Sequence, residues 1–577
     1  MYPEPPLAVS GTLVLLRDMQ RWEPRATCPE HILSRIPYLA AAHTWPMYLL
    51  FHTQSRYNKI ILHCGNKMFI KNFVAYVFAG AVSALMLGGC VTTHVQRPLS
   101  AGVPSEGTAV TVSITANTDE VNGLGQITLG RLSSGDAVSS LVLQQYILNQ
   151  VAKDMARDTT LFMGTLPPGK YYFSQLADAG KSNRYIKMGS GLGLFTVEEG
   201  KPVDLGRLIV TPLYGERVLV GRSVRVRDNR TLLERYSPEH LKLFAPEKTV
   251  SWSGSRSDTD RAEEVAMARP TGAECVTELP DGSVAAATRM GTVLWRSPGG
   301  TWKQLASDKI ETLNCVQPVQ MPDADLLAFG EFGTLLRHAP GQNKLEPIDT
   351  GNLPYGNLVG LAGNMDAGWY VAVQRNNEVT IYHSTRLERG EWNQVRSEKL
   401  GKWLLNQDTW FWLRDIGTGF AYTSTKGTLH LYDYASGQWS ERAMPDRRVD
   451  AMRISGSGMW SLITQGYGPF AITSRDAFVS VNQGQTWQEV TASHIPLVQR
   501  TDGTLLRFES SLMSDTTLHA SSDMGKTWTL VDAKPKSREL TPLKSGAILG
   551  KIMRWSVPAQ FEISNDGGKS WTAESMK

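Results

Sequence analysis

With 577 residues, the chain is long enough for two or more domains and can bury large cores. Its formal net charge of +4 is too small to mark a phosphate-backbone binder, so nucleic acid is not an expected partner. The 52 glycines and 16 tryptophans fit many short strands joined by tight turns.

Residues 1–67 show no sustained hydrophobic period and scatter Pro, Trp and His. A clearer pattern opens at Met68. Lys71 closes a short basic stretch, Phe73 to Gly89 is uncharged, and Leu87-Gly-Gly-Cys90 follows directly. This resembles a bacterial lipoprotein signal with a Leu-x-Gly-Cys lipobox. The resemblance implies a signal peptide over 68–89, with Cys90 as the acylated mature N-terminus, and a misplaced start that adds 1–67 as an upstream leader. A transmembrane helix is the alternative reading, but 17 residues ending in two glycines are short for a span. Val91, not Asp, follows the cysteine, which in such lipoproteins implies the outer membrane, facing periplasm or cell surface. Cys28 and Cys64 fall in the leader, leaving Cys275 and Cys315, 40 residues apart. In an oxidising compartment these form a disulfide or stay as two buried thiols.

Residues 90–107 read as a polar, Pro-containing tether. A first domain follows over 108–224. Ala109 to Ala116 alternates at period two and predicts a half-buried strand; 125–132, 170–176, 194–197 and 205–210 are further strand candidates. Asp136 to Asp158 carries Leu141, Tyr146, Leu148, Val151 and Met155 at near-helical spacing and predicts a helix. Leu166-Pro-Pro-Gly-Lys-Tyr-Tyr-Phe173 is a turn feeding a strand and is similar to a segment of small prealbumin-like β-sandwiches. Over 225–269, Ser237-Pro-Glu-His reads as a helix start and Ser251 to Pro270 as a linker.

The remainder, 270–577, is written in repeats. One phrase, Ser-x-Asp/Asn-x-Gly-x-Thr/Ser-Trp, occurs three times. Its fixed positions are Ser480, Asn482, Gly484 and Trp487; Ser521, Asp523, Gly525 and Trp528; and Ser564, Asp566, Gly568 and Trp571. Trp-to-Trp steps of 41 and 43 residues match a β-propeller, one four-stranded blade per repeat. Degenerate copies end at Trp302, Leu345, Trp392 and Trp439, so seven anchors predict seven blades, each anchor opening the outermost strand. Strands beginning at Thr292, Thr334, Thr380, Thr428 and Thr517 precede their anchors. No exchanged strand is evident to close the ring, although Lys248 to Trp252 offers an extra outer strand.

The phrase resembles the Asp-box, the bacterial-neuraminidase-type (BNR) repeat of sialidases, sortilin and photosystem II assembly-factor propellers. Gly291-Thr-Val-Leu-Trp-Arg-Ser-Pro-Gly-Gly-Thr-Trp302 is close to the assembly-factor pattern. The expected fold is all-β: a seven-bladed β-propeller preceded by a small β-sandwich-like domain. The box chemistry reads as a structural clasp, in which Asp or Asn accepts backbone N–H groups and Gly supplies a positive φ.

No catalytic residue, metal site or cofactor is expected. His383, His430 and His519 share a register but fall in different blades, too far apart to ligate one zinc ion. Arg35-Ile-Pro37, the tripeptide that opens sialidase domains, lies upstream of the lipobox. Asp323 and Asp325 form the best local carboxylate pair, within a turn. The expected function is a lipid-anchored envelope protein whose propeller binds protein partners without catalysis. The alternative is carbohydrate binding or glycoside hydrolysis in the central depression, served by aromatic residues such as Trp403, Trp410 and Trp412.

Overall fold

A computed structural model describes residues 13–15, 92–95, 107–118, 124–132, 144–151, 156–178, 185–188, 190–213, 217–253, 261–400, 410–425, 427–445, 448–465, 475–490, 497–511, 514–532, 535–552 and 558–575. Cys90 and its signal-like stretch, Arg35-Ile-Pro37 and Trp403 lie outside the described residues. Among the described residues no helix is long and apolar enough to cross a membrane.

Seven four-stranded antiparallel sheets follow one another from Glu274 to Glu574. Each is a meander whose strands pair in chain order. Blade 1 is Glu274–Glu278, Val284–Ala287, Thr292–Arg296 and Trp302–Ala306. Blades 2 to 7 occupy 313–347, 357–399, 411–443, 448–490, 497–532 and 539–574. All seven anchors stand at the start of the outermost strand or one residue before it.

Each anchor packs against the preceding blade. Leu345 lies with Ala285, Val293 and Leu305 of blade 1. Trp392 joins Leu327 and Phe329 of blade 2, and Trp439 joins Ala372 and Ile381 of blade 3. Trp487, Trp528 and Trp571 do the same with Leu429, Val490 and Leu518. Trp302 completes the series against Leu549 and Phe561 of blade 7. Seven blades thus enclose seven interblade cores, which only a closed ring allows. Closure needs no exchanged strand. Trp302 stacks on Phe561 with ring centroids 4.3 Å apart. The Trp302 indole N–H donates to Glu574 at 2.7 Å, and the Arg296 guanidinium holds the same carboxylate at 2.6–3.0 Å.

The first domain is one connected sheet around a single core. Its strand order is 217–222, 203–212, 108–116, 159–166, 144–151, 124–131, 169–178 and 185–187. Thr108–Ala116 and Val203–Pro212 run parallel; the other registered pairs are antiparallel. Val112, Ile114, Leu148, Phe173, Phe195 and Val210 fill the inside.

Several expectations are corrected. Within Asp136–Asp158, Gln144–Val151 is a strand, not a helix, because it is paired on both sides, to Gln126–Gly130 and to Leu161–Met163. Sheet pairing overrides a spacing that also suits a helix. Lys248 to Trp252 adds no strand to the propeller. Val250 bridges Val203, and Trp252 packs on Phe173 in the first-domain core while donating to the Leu205 carbonyl at 2.9 Å. The stretch read as a linker contains a helix, Ala262–Ala268, wedged between Ile209 and Leu219 of the sheet and Met290 and Ile310 of the propeller. Separately from these corrections, Thr92–Val95, within the expected tether, pairs with Gln144–Val151. Within the expected leader, Leu13–Leu15 pairs with Arg217–Leu219.

Candidate functional site

The three repeated phrases form turns between the third and fourth strands of blades 5, 6 and 7. In each, the Ser hydroxyl accepts the Gly N–H at 2.8 Å and donates to the Asp or Asn side chain at 2.7–2.9 Å. That side chain accepts the N–H of the following Thr or Ser at 2.9–3.0 Å. Two consecutive residues take positive φ, at 483–484, 524–525 and 567–568. Hydrogen bonds from the Thr527 and Ser570 hydroxyls and N–H groups hold Asp523 and Asp566 well below the ordinary carboxylate range. Both oxygens of each carboxylate are thereby engaged by their own turn. Among the described residues no group of three or more His, Cys, Asp or Glu converges on a point where a metal ion would sit.

The other singled-out residues are scattered. His383 packs on Tyr370, His430 stacks on Tyr422, and His519 bonds the Thr517 hydroxyl at 2.8 Å. Asp323 pairs with Arg337 at 2.7 Å and Asp325 with His338 at 2.7 Å. Cys275 and Cys315 are joined as a disulfide, with Cα atoms 5.0 Å apart, within the range a bridge requires. It ties the innermost strand of blade 1 to that of blade 2.

Innermost strands run from one face of the ring to the other, so the loops separate into two sets. Turns between strands two and three, and links between blades, lie on one face; the repeated phrases lie on the opposite one. The first domain sits on the former, over blades 1 to 3. Leu161 and Met163 meet Phe332 there through the helix Arg230–Tyr236, while Ala262–Ala268 fills the gap above blade 1.

Between these apolar patches runs a buried polar clasp. Asp158, from the start of a first-domain strand, accepts Arg289 Nε at 2.8 Å and the Thr312 hydroxyl at 2.9 Å. Arg289 and Asp158 are at most 1% exposed. Glu331, also fully buried, accepts the N–H of Asp158, and the N–H and hydroxyl of Thr159 at 3.2 and 2.9 Å. Burial, reinforced by the Asp158 charge, pushes Glu331 up to about 7. Arg157 pairs through both guanidinium nitrogens with Glu274 at the channel edge. Removing one partner of a buried pair costs about 3–5 kcal/mol. The clasp therefore fixes the first domain to the ring.

The seven innermost strands line a central channel of about 1360 Å³. Its wall mixes Val276, Val316 and Val359 with Asn314, Gln317 and Asn357. Of the expected aromatic residues, Trp412 is buried between blades, whereas Trp410 is half-buried in the wall. On the face carrying the repeated phrases, Met365 at the channel rim and Val481 in the blade 5 turn are 58% and 72% exposed. Arg414 and Arg453 also line the wall, from the innermost strands of blades 4 and 5, and nothing in sequence marks which residue of a short strand reaches the axis.

No family model and no curated protein matches the chain. The chain is similar to the β-propeller domain of Swd1 from Myceliophteria thermophila, at 11% identity and a TM-score of 0.34, over 51% of this chain and 98% of that one. It is also similar to YCF48, solved bound to a D1 peptide, at 14% identity and a TM-score of 0.31, over 45% of this chain and 85% of that one. The seven-bladed ring is defined by the chain's own sheets and cores.

Proposed function

We propose that this chain is a lipid-anchored envelope protein whose propeller docks protein partners on the face opposite the first domain. The observation that carries the reading is the division of the ring. One face is occupied over blades 1 to 3 by a clasped domain. The other presents the channel mouth, with exposed Met365 at its rim and exposed Val481 in a blade 5 turn of the same face. Exposed apolar side chains beside a large concavity, on rigid strands, suit a docking platform. The lipid at Cys90 would tether the first domain and hold that face away from the membrane.

Carbohydrate recognition in the channel is favoured by Trp410, an aromatic in the wall. Trp369, Trp412 and Trp460 offer it little, because they are at most 7% exposed and spend their faces on interblade packing. The test is affinity capture of the tagged, lipidated chain from native envelopes, beside a Cys90→Ser variant. A near-stoichiometric protein, with the variant lost from the membrane fraction, supports the platform. Glycan without protein transfers the reading to carbohydrate, and unchanged fractionation of Cys90→Ser removes the anchor.

A further inference from the structure

Among the described residues, Arg414 and Arg453 stand on neighbouring innermost strands of the channel wall without an acidic partner. Arg414 lies on Phe411–Asp415, the innermost strand of blade 4, and Arg453 on Arg448–Ile454, that of blade 5. Both line the channel and are half-buried in its wall. Arg414 donates to the Leu413 carbonyl at 3.2 Å and reaches across the channel to the sulfur of Cys275 at 3.1 Å. Those acceptors leave its charge uncompensated. Arg453 makes no side-chain hydrogen bond or ion pair among the described residues.

The nearby acids are committed elsewhere. Glu274 pairs with Arg157, Glu539 pairs with Lys551, and Glu278 accepts the backbone N–H of Lys544 at 2.8 Å. Asp415, next to Arg414 in sequence, accepts the Tyr434 hydroxyl at 2.7 Å and the N–H groups of Gly363 and Gly417 at 2.8 and 2.7 Å. Asp366 stands on an exposed turn at the rim. Enclosure by the channel and the neighbouring charge of Arg453 together bring Arg414 down to about 10, still cationic at neutral pH. Holding two like charges together in a confined space is unfavourable unless something shares them.

We propose that Arg414 and Arg453 form an oxyanion site inside the channel, taking a carboxylate or phosphate group that enters from the open mouth. Planar guanidinium forks match both groups through paired N–H···O bonds. The remaining wall, part valine and part amide, accommodates an amphipathic carrier. The inference stands on the channel wall alone and does not require a protein to dock on the face above it.

The test is calorimetric titration of the full chain with glutarate and, separately, inorganic phosphate, at low and high salt. Wild type is expected to show saturable binding of at least one anion, weakening with salt. Arg453→Gln and Arg414→Gln should each weaken it at least tenfold, and Arg414→Lys should restore it only in part. Unliganded Arg453→Gln should melt at or above the wild-type temperature, because the change relieves repulsion and breaks no bond. Failure of both anions to bind, or binding indifferent to Arg453→Gln, overturns the proposal. So does a drop of several degrees in Arg453→Gln with binding intact, which would assign that arginine a structural role.

Discussion

Trp302→Ala should open the ring at its seam. Trp302 is 1% exposed, stacks on Phe561 at 4.3 Å and donates its N–H to Glu574 at 2.7 Å. Truncating a buried tryptophan costs about 3–5 kcal/mol. The lost hydrogen bond adds about 1 kcal/mol, at the low end because Arg296 still satisfies the carboxylate. The sum is about 4–6 kcal/mol, a large share of the roughly 5–15 kcal/mol that holds a typical domain. Trp528 occupies the equivalent place at the seam of blades 5 and 6 but is less completely buried. Trp528→Ala should therefore cost less. Urea unfolding followed by tryptophan fluorescence reads both midpoints. A Trp302→Ala loss below about 1.5 kcal/mol, or one equal to that of Trp528→Ala, would refute closure by this contact.

Three further outcomes are expected. Glu331 takes its proton more readily in the folded protein than when unfolded, so its contribution is present below about pH 4.5 and is lost as pH rises through about 7; Glu331→Gln should flatten the fall in melting temperature across that window, read by calorimetry at stepped pH. Reducing the Cys275–Cys315 bridge, or Cys275→Ser with Cys315→Ser, should cost up to about 4 kcal/mol for a loop of 40 residues, seen as an earlier denaturation midpoint. Asp523→Ala should leave the ring intact but speed amide exchange at Gly525 and Thr527, since Thr527 loses its acceptor and Ser521 its orienting partner.

The propeller was legible because its repeat is local. Serine, aspartate and glycine within five residues build a turn from their own backbone, and the tryptophan that follows marks a strand edge wherever it occurs. Even Leu345 could be placed by spacing alone, in its pocket between blades 1 and 2. The misreadings were all tertiary. Gln144–Val151 carries a spacing that suits helix and strand alike, and only its two neighbours decide. Ala262–Ala268 is a seven-residue helix in a polar stretch, held by what it packs on more than by its own propensity. The clasp joins Asp158, Arg289, Thr312 and Glu331, which lie up to 173 residues apart, so no motif announces it. Arg414 and Arg453 look like ordinary strand residues until the ring brings blades 4 and 5 together.

The central claim, that the open face is the docking surface, is tested most directly by crosslinking in native envelopes. A photoreactive residue would replace, one at a time, Met365, Val481 and Leu530. Leu530 is 59% exposed but stands within the outermost strand of blade 6 and not on a turn of that face. The account predicts one dominant protein adduct from positions 365 and 481 and none from 530. Adducts from 530 alone, or equally from all three positions, would contradict it.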